Sequence, residues 1–384
     1  MNNNINKPYR ICYVATIGAT IKAFFISQLK YLSQNGFDVT VICSPEDDLE
    51  ELLGKEIHYY PVTIPRGISF IKMFKSTKQI REIIKSERFD IVQYSTPNAA
   101  LCSSYAAAKE SVPIRNYHLM GLRYLSEKGI KKTILKSLEK FTCNLSTNIE
   151  CVSKSNLDLA IKESLFTKEK GCVIFNGSTG GIDINRFSIS DRTKYREDIR
   201  KKYKIDSSDF VFGFVGRITR DKGINELLSA FNKLENNAKL LLVGYLDEAN
   251  TLDQTLYKDS LSDANIIYTG PVKDVEAYFS ALDCLVLPSY REGFGNVVIE
   301  AAAMGTPSIV SNIPGPIDAT IENVTSIWIN PKDVSSLYNA MKHMMTIDYK
   351  KMGLQASEYA REYFDENILN EHILERKKEL LNNI

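Results

Sequence analysis

Seven short runs rich in β-branched and aromatic residues alternate with longer stretches of helical periodicity in the first half of this chain: Ile11–Ala15, Val39–Cys43, Ile57–Tyr60, Ile91–Tyr94, Ile114–Tyr117, Asn148–Val152 and Cys172–Phe175. Strands separated by helices are joined by crossovers, so they pair in parallel and are covered by helices. The second half repeats the pattern, with apolar runs ending near Val215, Val243, Gly270 and Leu287. With 384 residues, 44% of them apolar, the chain can build two such α/β domains, each with its own core. In open parallel sheets, ligands sit beyond the carboxyl ends of the strands, so the loop after each strand is where function is sought.

The most telling of those loops follows Cys284–Leu287. Gly293 and Gly295 mark a loop, a helix opens at about Asn296, and Gly305 suits the left-handed turn past its end. The first N–H groups of a helix lack internal partners and carry partial positive charge, which makes such a tip a seat for phosphate. Glu292 and Glu300, with seven residues between them, flank the seat, and Glu300 lies one turn beyond Asn296 on the same face. One carboxylate on each side suits a diphosphate with a hydroxyl-bearing ring at either end.

This string, Glu292-Gly-Phe-Gly295 followed by Glu300, resembles the signature of the retaining glycosyltransferases of family four, which have the two-domain GT-B fold. Two further stretches strengthen the resemblance. Gly216-Arg217, four residues and then Lys222-Gly223 resembles the family's diphosphate-binding pair, and Asn176–Phe187 resembles its interdomain linker. The resemblance implies two Rossmann-like domains facing across a cleft: an acceptor-binding domain over residues 1–187, a donor-binding domain over 188–364, and a terminal helix, 365–384, packing back on the first. It implies a donor site made of Gly216, Arg217, Lys222, the backbone near Val272, and Gly293, Phe294, Gly295, Asn296 and Val297 at the helix tip. Glu300 would bind ribose hydroxyls. Glu292 would bind donor-sugar hydroxyls and stabilise positive charge at the anomeric carbon. Arg217 and Lys222 would neutralise the departing nucleoside diphosphate.

On the acceptor side the match is looser. Gly18 is a single glycine where relatives carry two, and an ordinary turn into a helix expected from about Ile21 to Asn35 explains it equally. Thr96-Pro-Asn-Ala99 resembles a family loop in which Asn98 is usually lysine. Pro97 also suits the first turn of a helix with no ligand role. Tyr117–Arg123 resembles a stretch found in transferases of capsular polysaccharide and lipid-linked oligosaccharide assembly, with Met120 in place of a basic residue. Arg123 matches directly and is the candidate contact to an anionic acceptor. His118 either reaches the same pocket in place of the missing cation or is a core histidine.

Composition narrows the class further. Seven scattered cysteines, never spaced C-x-x-C, indicate neither a disulfide framework nor a zinc site. No apolar run is long enough to span a bilayer, and the start of the chain reads as polar residues before a first strand, so a cytoplasmic location is expected. Net charge is +1, but residues 1–187 carry an excess of positive charge and 188–384 an excess of negative. Within the basic half, residues 128–141 read as a helix with Lys132, Lys136 and Lys140 on one side and Ile134, Leu138, Phe141 and Leu145 on the other. Residues 68–75 mix aromatics with lysines. Both suit either an anionic membrane surface at the inner face or a solvated helix above a core.

No Asp-x-Asp triplet occurs, so metal-free chemistry is expected, with no cofactor beyond the donor, a UDP-sugar. The resemblance implies a glycan acceptor, carried on a polyprenyl diphosphate, and makes an N-acetylated hexosamine the candidate sugar in bacterial surface polysaccharide synthesis. A sugar-nucleotide 2-epimerase or phosphorylase on the same fold, and an inactive nucleotide-sugar-binding partner, are the alternatives.

Overall fold

The computed structural model describes residues 8–67, 69–234, 238–246 and 251–383; Ile68 and residues 1–7, which entered the sequence reading, lie outside them. The chain forms two compact units: Met1–Gly180 with Glu366–Ile384, and Gly181–Asp365. The division falls within the Asn176–Phe187 stretch, so residues 181–187 belong with the second unit rather than the first.

The first unit runs β1 (Tyr9–Ile17), α1 (Gly18–Phe24), α2 (Ile26–Gln34), β2 (Phe37–Ser44), α3 (Leu49–Leu53), β3 (Ile57–Pro61) and α4 (Phe70–Glu87). It continues with β4 (Ile91–Ser95), α5 (Pro97–Lys109), β5 (Ile114–Leu119), α6 (Gly129–Leu145), β6 (Asn148–Cys151), α7 (Lys154–Lys162) and β7 (Gly171–Cys172). The second unit runs α8 (Arg192–Lys202), β8 (Phe210–Val215), α9 (Ile224–Phe231), β9 (Ala238–Val243), α10 (Gln254–Ser262), β10 (Ile266–Gly270) and α11 (Val275–Ala281). After these come β11 (Cys284–Leu287), α12 (Asn296–Ala303), β12 (Ser308–Ser311), β13 (Ser326–Ile329), α13 (Val334–Met344) and α14 (Tyr349–Tyr363); α15 (Glu366–Asn382) returns to the first unit.

Every strand pair is parallel. The first sheet has the order β3-β2-β1-β4-β5-β6-β7 and the second β10-β9-β8-β11-β12-β13. In each, the chain moves outward in one direction, returns to the centre and moves outward in the other. That reversal opens a crevice at the strands' carboxyl ends, between β1 and β4 in the first unit and between β8 and β11 in the second.

Apolar clusters cover both faces of the first sheet. One, with Val92, Tyr94 and Leu119, lies under α4–α6; the other, with Ile11, Val39 and Leu29, takes in Leu374, Leu380 and Leu381 of α15. Each such side chain contributes about 1.5–3 kcal/mol on burial, enough to hold the last helix where the sequence resemblance puts it.

Three expectations are corrected. The helix expected from Ile21 to Asn35 is two helices broken at Phe25, whose ring is fully buried between Tyr13 and His118 at 5.7 and 5.5 Å. The strand expected over Cys172–Phe175 stops at Cys172, because Phe175 takes a left-handed φ of 52° and stacks on His372 of α15. On α6 the apolar side is not the buried one. Glu139, Thr142 and Cys143 face the core, whereas Ile134 and Phe141 are exposed. Lys136 is no part of a free basic stripe, since it pairs with Glu163 and lies over the Tyr124 ring.

Candidate active site

The reversal crevice of the second unit is where the donor-side residues collect. β8 ends at Val215, and the following loop carries Gly216, Arg217 and a short 3-10 turn, Arg220–Lys222, before α9. Gly223 begins α9 with a φ of 73°, and a Cβ there would stand 2.1 Å from the Pro288 carbonyl oxygen. A side chain at position 223 would therefore push apart the loops that follow β8 and β11.

Across the crevice, the Lys222 ammonium donates to Glu292 Oε1 at 2.6 Å, and the Ser289 hydroxyl donates to the same oxygen at 2.7 Å. Arg217 is exposed. Asp221 is a member the sequence reading missed. It accepts from the Thr219 hydroxyl at 2.5 Å and from Arg291 at 3.3 Å. Burial works to raise its pKa, but Thr219, Arg291, Arg217 and Lys222 outweigh it and hold Asp221 below the usual carboxylate range. Its only sequence signal was its place beside Lys222.

The helix α12 begins at Asn296, as expected, after its N-cap residue Gly295 at φ 94°, which has no side chain to cap it. Phe294 contributes backbone only, because its ring is buried edge-on against Phe364 at 5.3 Å. Gly315, from the loop after β12, packs so closely that a Cβ would lie 2.8 Å from the Gly293 oxygen. Loops after β8, β11 and β12 thus converge on one helix tip, which sits beside a lysine–carboxylate pair. Such a tip can accept an oxyanion, with Lys222 exchanging a carboxylate partner for a phosphate. Glu300 is half-buried one turn along; burial raises its pKa to about 7, Arg186 opposing and Glu276 assisting. Val272 lies in the loop after the edge strand β10, partly exposed.

In the first unit the acceptor-side residues separate. At the β1–β4 crevice the hydroxyls of Thr16 and Thr96 lie 2.7 Å apart, and Thr96 holds a φ of 65°, a strained value for a β-branched residue. Gly18 begins α1 with a Cβ position only 2.2 Å from Glu46 Cβ, and the Glu46 carboxylate accepts from the Ala19 amide at 3.2 Å. That helix start is therefore held by the protein's own acid. Asn98 spends its amide on the Pro65 and Gly67 carbonyls, fastening the loop before α4.

His118 does not share a cavity with Arg123. It faces a small polar recess with Gln28, Gln93 and Glu150, while Arg123 lines an apolar cavity between α4, α5 and α6. Burial pushes the His118 imidazole down to about 4, against the pull of Glu150, so at neutral pH it is uncharged and does not replace the cation missing at Met120. The same recess borders a pair no local pattern revealed: Lys377 of α15, fully buried, donates to both Glu150 oxygens at 2.8 and 2.9 Å and to Gln93 at 2.7 Å.

Two doubly wound parallel units with a returning terminal helix define the GT-B class of glycosyltransferases. Residues 10–153 match the family described as glycosyl transferase 4-like, and residues 195–363 match glycosyl transferases group 1. The chain is 30% identical over 342 residues, 88% of each chain, to the capsular polysaccharide biosynthesis glycosyltransferase CapM of Staphylococcus aureus. It is 27% identical, over 82% of each chain, to an Escherichia coli UDP-Gal:α-D-GlcNAc-diphosphoundecaprenol α-1,3-galactosyltransferase. Among solved structures, HepE of Anabaena in complex with UDP superposes with a TM-score of 0.76 at 18% identity, covering 96% of this chain and 100% of that one. The chain belongs to the glycosyltransferase family that these matches define.

Proposed function

We propose that this enzyme transfers a sugar from a UDP-sugar, with retention of configuration, to a glycan carried on a polyprenyl diphosphate in surface polysaccharide synthesis. The observation that carries this reading is the Lys222–Glu292 pair beside the tip of α12. Arg217, Lys222 and the amides of residues 294–297 hold the diphosphate. Lys222 and Arg217 stabilise the charge that builds on it as the glycosidic bond breaks. Glu292 turns to the donor-sugar hydroxyls. Glu300 receives the ribose, and the backbone near Val272 the base.

The lipid-linked acceptor and the capsular pathway are supported by the names of the relatives, and the UDP nucleotide by the galactosyltransferase named above. Among the described residues, no helix is long and apolar enough to cross a membrane. Location at the inner face of the cytoplasmic membrane is part of the proposal, supported by exposed Phe70, Ile71 and Phe74 interleaved with Lys72 and Lys75 on α4. The acceptor would meet Thr96 and Arg123.

A screen of UDP-sugars, N-acetylated hexosamines first, against a synthetic polyprenyl-diphosphate sugar tests this reading; transfer with retained anomeric configuration supports it, and hydrolysis or epimerisation alone contradicts it. In that assay Glu300→Ala should raise the donor KM roughly tenfold, the loss of one to two hydrogen bonds at about 1 kcal/mol each. Glu300→Gln should keep most of that affinity. Activity is also expected to persist in excess chelator, because two basic side chains do what a divalent cation does in metal-dependent transferases. Loss of turnover in chelator, restored by added magnesium or manganese, would contradict metal independence.

A further inference from the structure

Resting on the lipid-linked acceptor just proposed, we infer that the cavity between α4, α5 and α6 seats the first part of the acceptor's hydrocarbon chain, with the lipid phosphate at Arg123. The cavity has a volume of about 100 Å³, and its walls include Met73, Leu101, Leu135 and Leu138. Two residues selected from sequence for acceptor contact, Asn98 in the first turn of α5 and Arg123 in the 3-10 turn after β5, both line it.

Most polar groups in the walls are already committed; the Tyr124 hydroxyl, buried without a partner among the described residues, is one exception. Asn98 donates to two carbonyls, Glu139 accepts from Tyr117 at 2.7 Å, and Thr142 donates to the Leu138 carbonyl at 3.1 Å. A sugar lodged there would bury hydroxyls with few partners, whereas a hydrocarbon would not. Arg123 differs: among the described residues its guanidinium has neither an ion pair nor a hydrogen bond, and it is left to meet an anion. The two helices flanking the cavity carry the most exposed large apolar side chains of the unit, Ile71 at 86%, Ile130 at 80%, Phe70 at 79% and Phe74 at 75%. Exposed apolar surface of that extent marks an interaction site, here one that meets hydrocarbon as the chain leaves the bilayer. Arg123, at the cavity wall, complements the lipid's diphosphate in charge.

The test is photolabelling of the full chain in detergent by a polyprenyl diphosphate with a diazirine on the isoprene next to the diphosphate. Labelling is expected within residues 98–101 and 135–142. Leu101→Trp, which fills the cavity, should cut it by roughly tenfold, while Leu101→Met, of similar volume, should preserve it. In transfer assays Leu101→Trp should lower kcat/KM about tenfold for a long-chain acceptor and leave a short-alkyl acceptor within about twofold, with the donor KM unchanged. Equal loss with both acceptors, labelling confined to other segments, or competition by phospholipid vesicles lacking polyprenyl lipid would overturn the assignment. Labelling needs no turnover. Labelled cavity residues without transfer would therefore sink the transferase reading alone, and transfer without labelling would sink the cavity alone.

Discussion

Lys222→Ala is expected to lower kcat at least about tenfold, equivalent to roughly 1.4 kcal/mol of barrier, and toward 10²-fold if Lys222 acts mainly in the transition state. Two effects combine. The cation that would meet charge on the leaving diphosphate is gone, and Glu292 loses the partner that holds it at 2.6 Å. Ser289 remains as its hydrogen-bond donor, but a hydroxyl supplies no charge. An uncompensated carboxylate beside the helix tip would then repel the diphosphate, so donor KM should rise as well. Lys222→Arg should recover part of the rate, because charge returns in a different geometry. Steady-state kinetics on folded protein, checked by circular dichroism, decide the matter. A kcat within about twofold of the parent would place the catalytic cation elsewhere.

The second large effect is on stability. Lys377→Met should destabilise the first unit by about 3–5 kcal/mol, because it leaves Glu150 as a buried charge with no cation. For a unit of this size that amounts to a fall in Tm on the order of 10 °C. Burial alone would raise the Glu150 pKa, but Lys377 overrides it and holds the carboxyl below its ordinary 4.5. A depressed folded pKa gives stability that is complete above the unfolded value and lost as pH falls through the folded one, so the parent should weaken only below about pH 4.5. Without Lys377 the sign reverses. Burial then raises the Glu150 pKa, and the variant's deficit should be largest at neutral pH and shrink toward about pH 5. The double variant Lys377→Met with Glu150→Gln should regain much of the loss. Thermal melts across pH measure all three outcomes, and a deficit independent of pH would contradict the ion-pair account.

Much of the fold was legible because parallel strands buried on both faces write continuous apolar runs, and their loops announce themselves with glycine. The tip of α12 and the Gly216–Lys222 loop could be read for the same reason: their geometry demands particular residues at fixed spacing. What escaped was set by tertiary packing. Phe25 interrupts a helix because its ring fills a gap between Tyr13 and His118, a gap no local pattern records. The α6 periodicity gave a correct helix and the wrong buried face, since an exposed apolar stripe and a core-facing one look alike in sequence. Lys377 and Glu150 meet across 227 positions. One hint was available there: Lys377 lies on the stripe of Ile373, Leu374, Leu380 and Leu381, where a solvated lysine has no place.

The acceptor side was harder to read for a related reason. Asn98 departs from the family's lysine, and its amide fastens the loop before α4, which gives the residue a structural task. Met120 packs against the core, and His118 is neutral in a separate recess. Of the residues suggested for the acceptor, Arg123 alone combines a charge with a cavity.

A crystal structure of the enzyme soaked with UDP addresses the central claim most directly. The diphosphate should lie on the amides at the start of α12, with Arg217 and Lys222 on its oxygens and the ribose hydroxyls at Glu300. UDP bound at any other place, or the Lys222–Glu292 pair unbroken with nucleotide present, would contradict it.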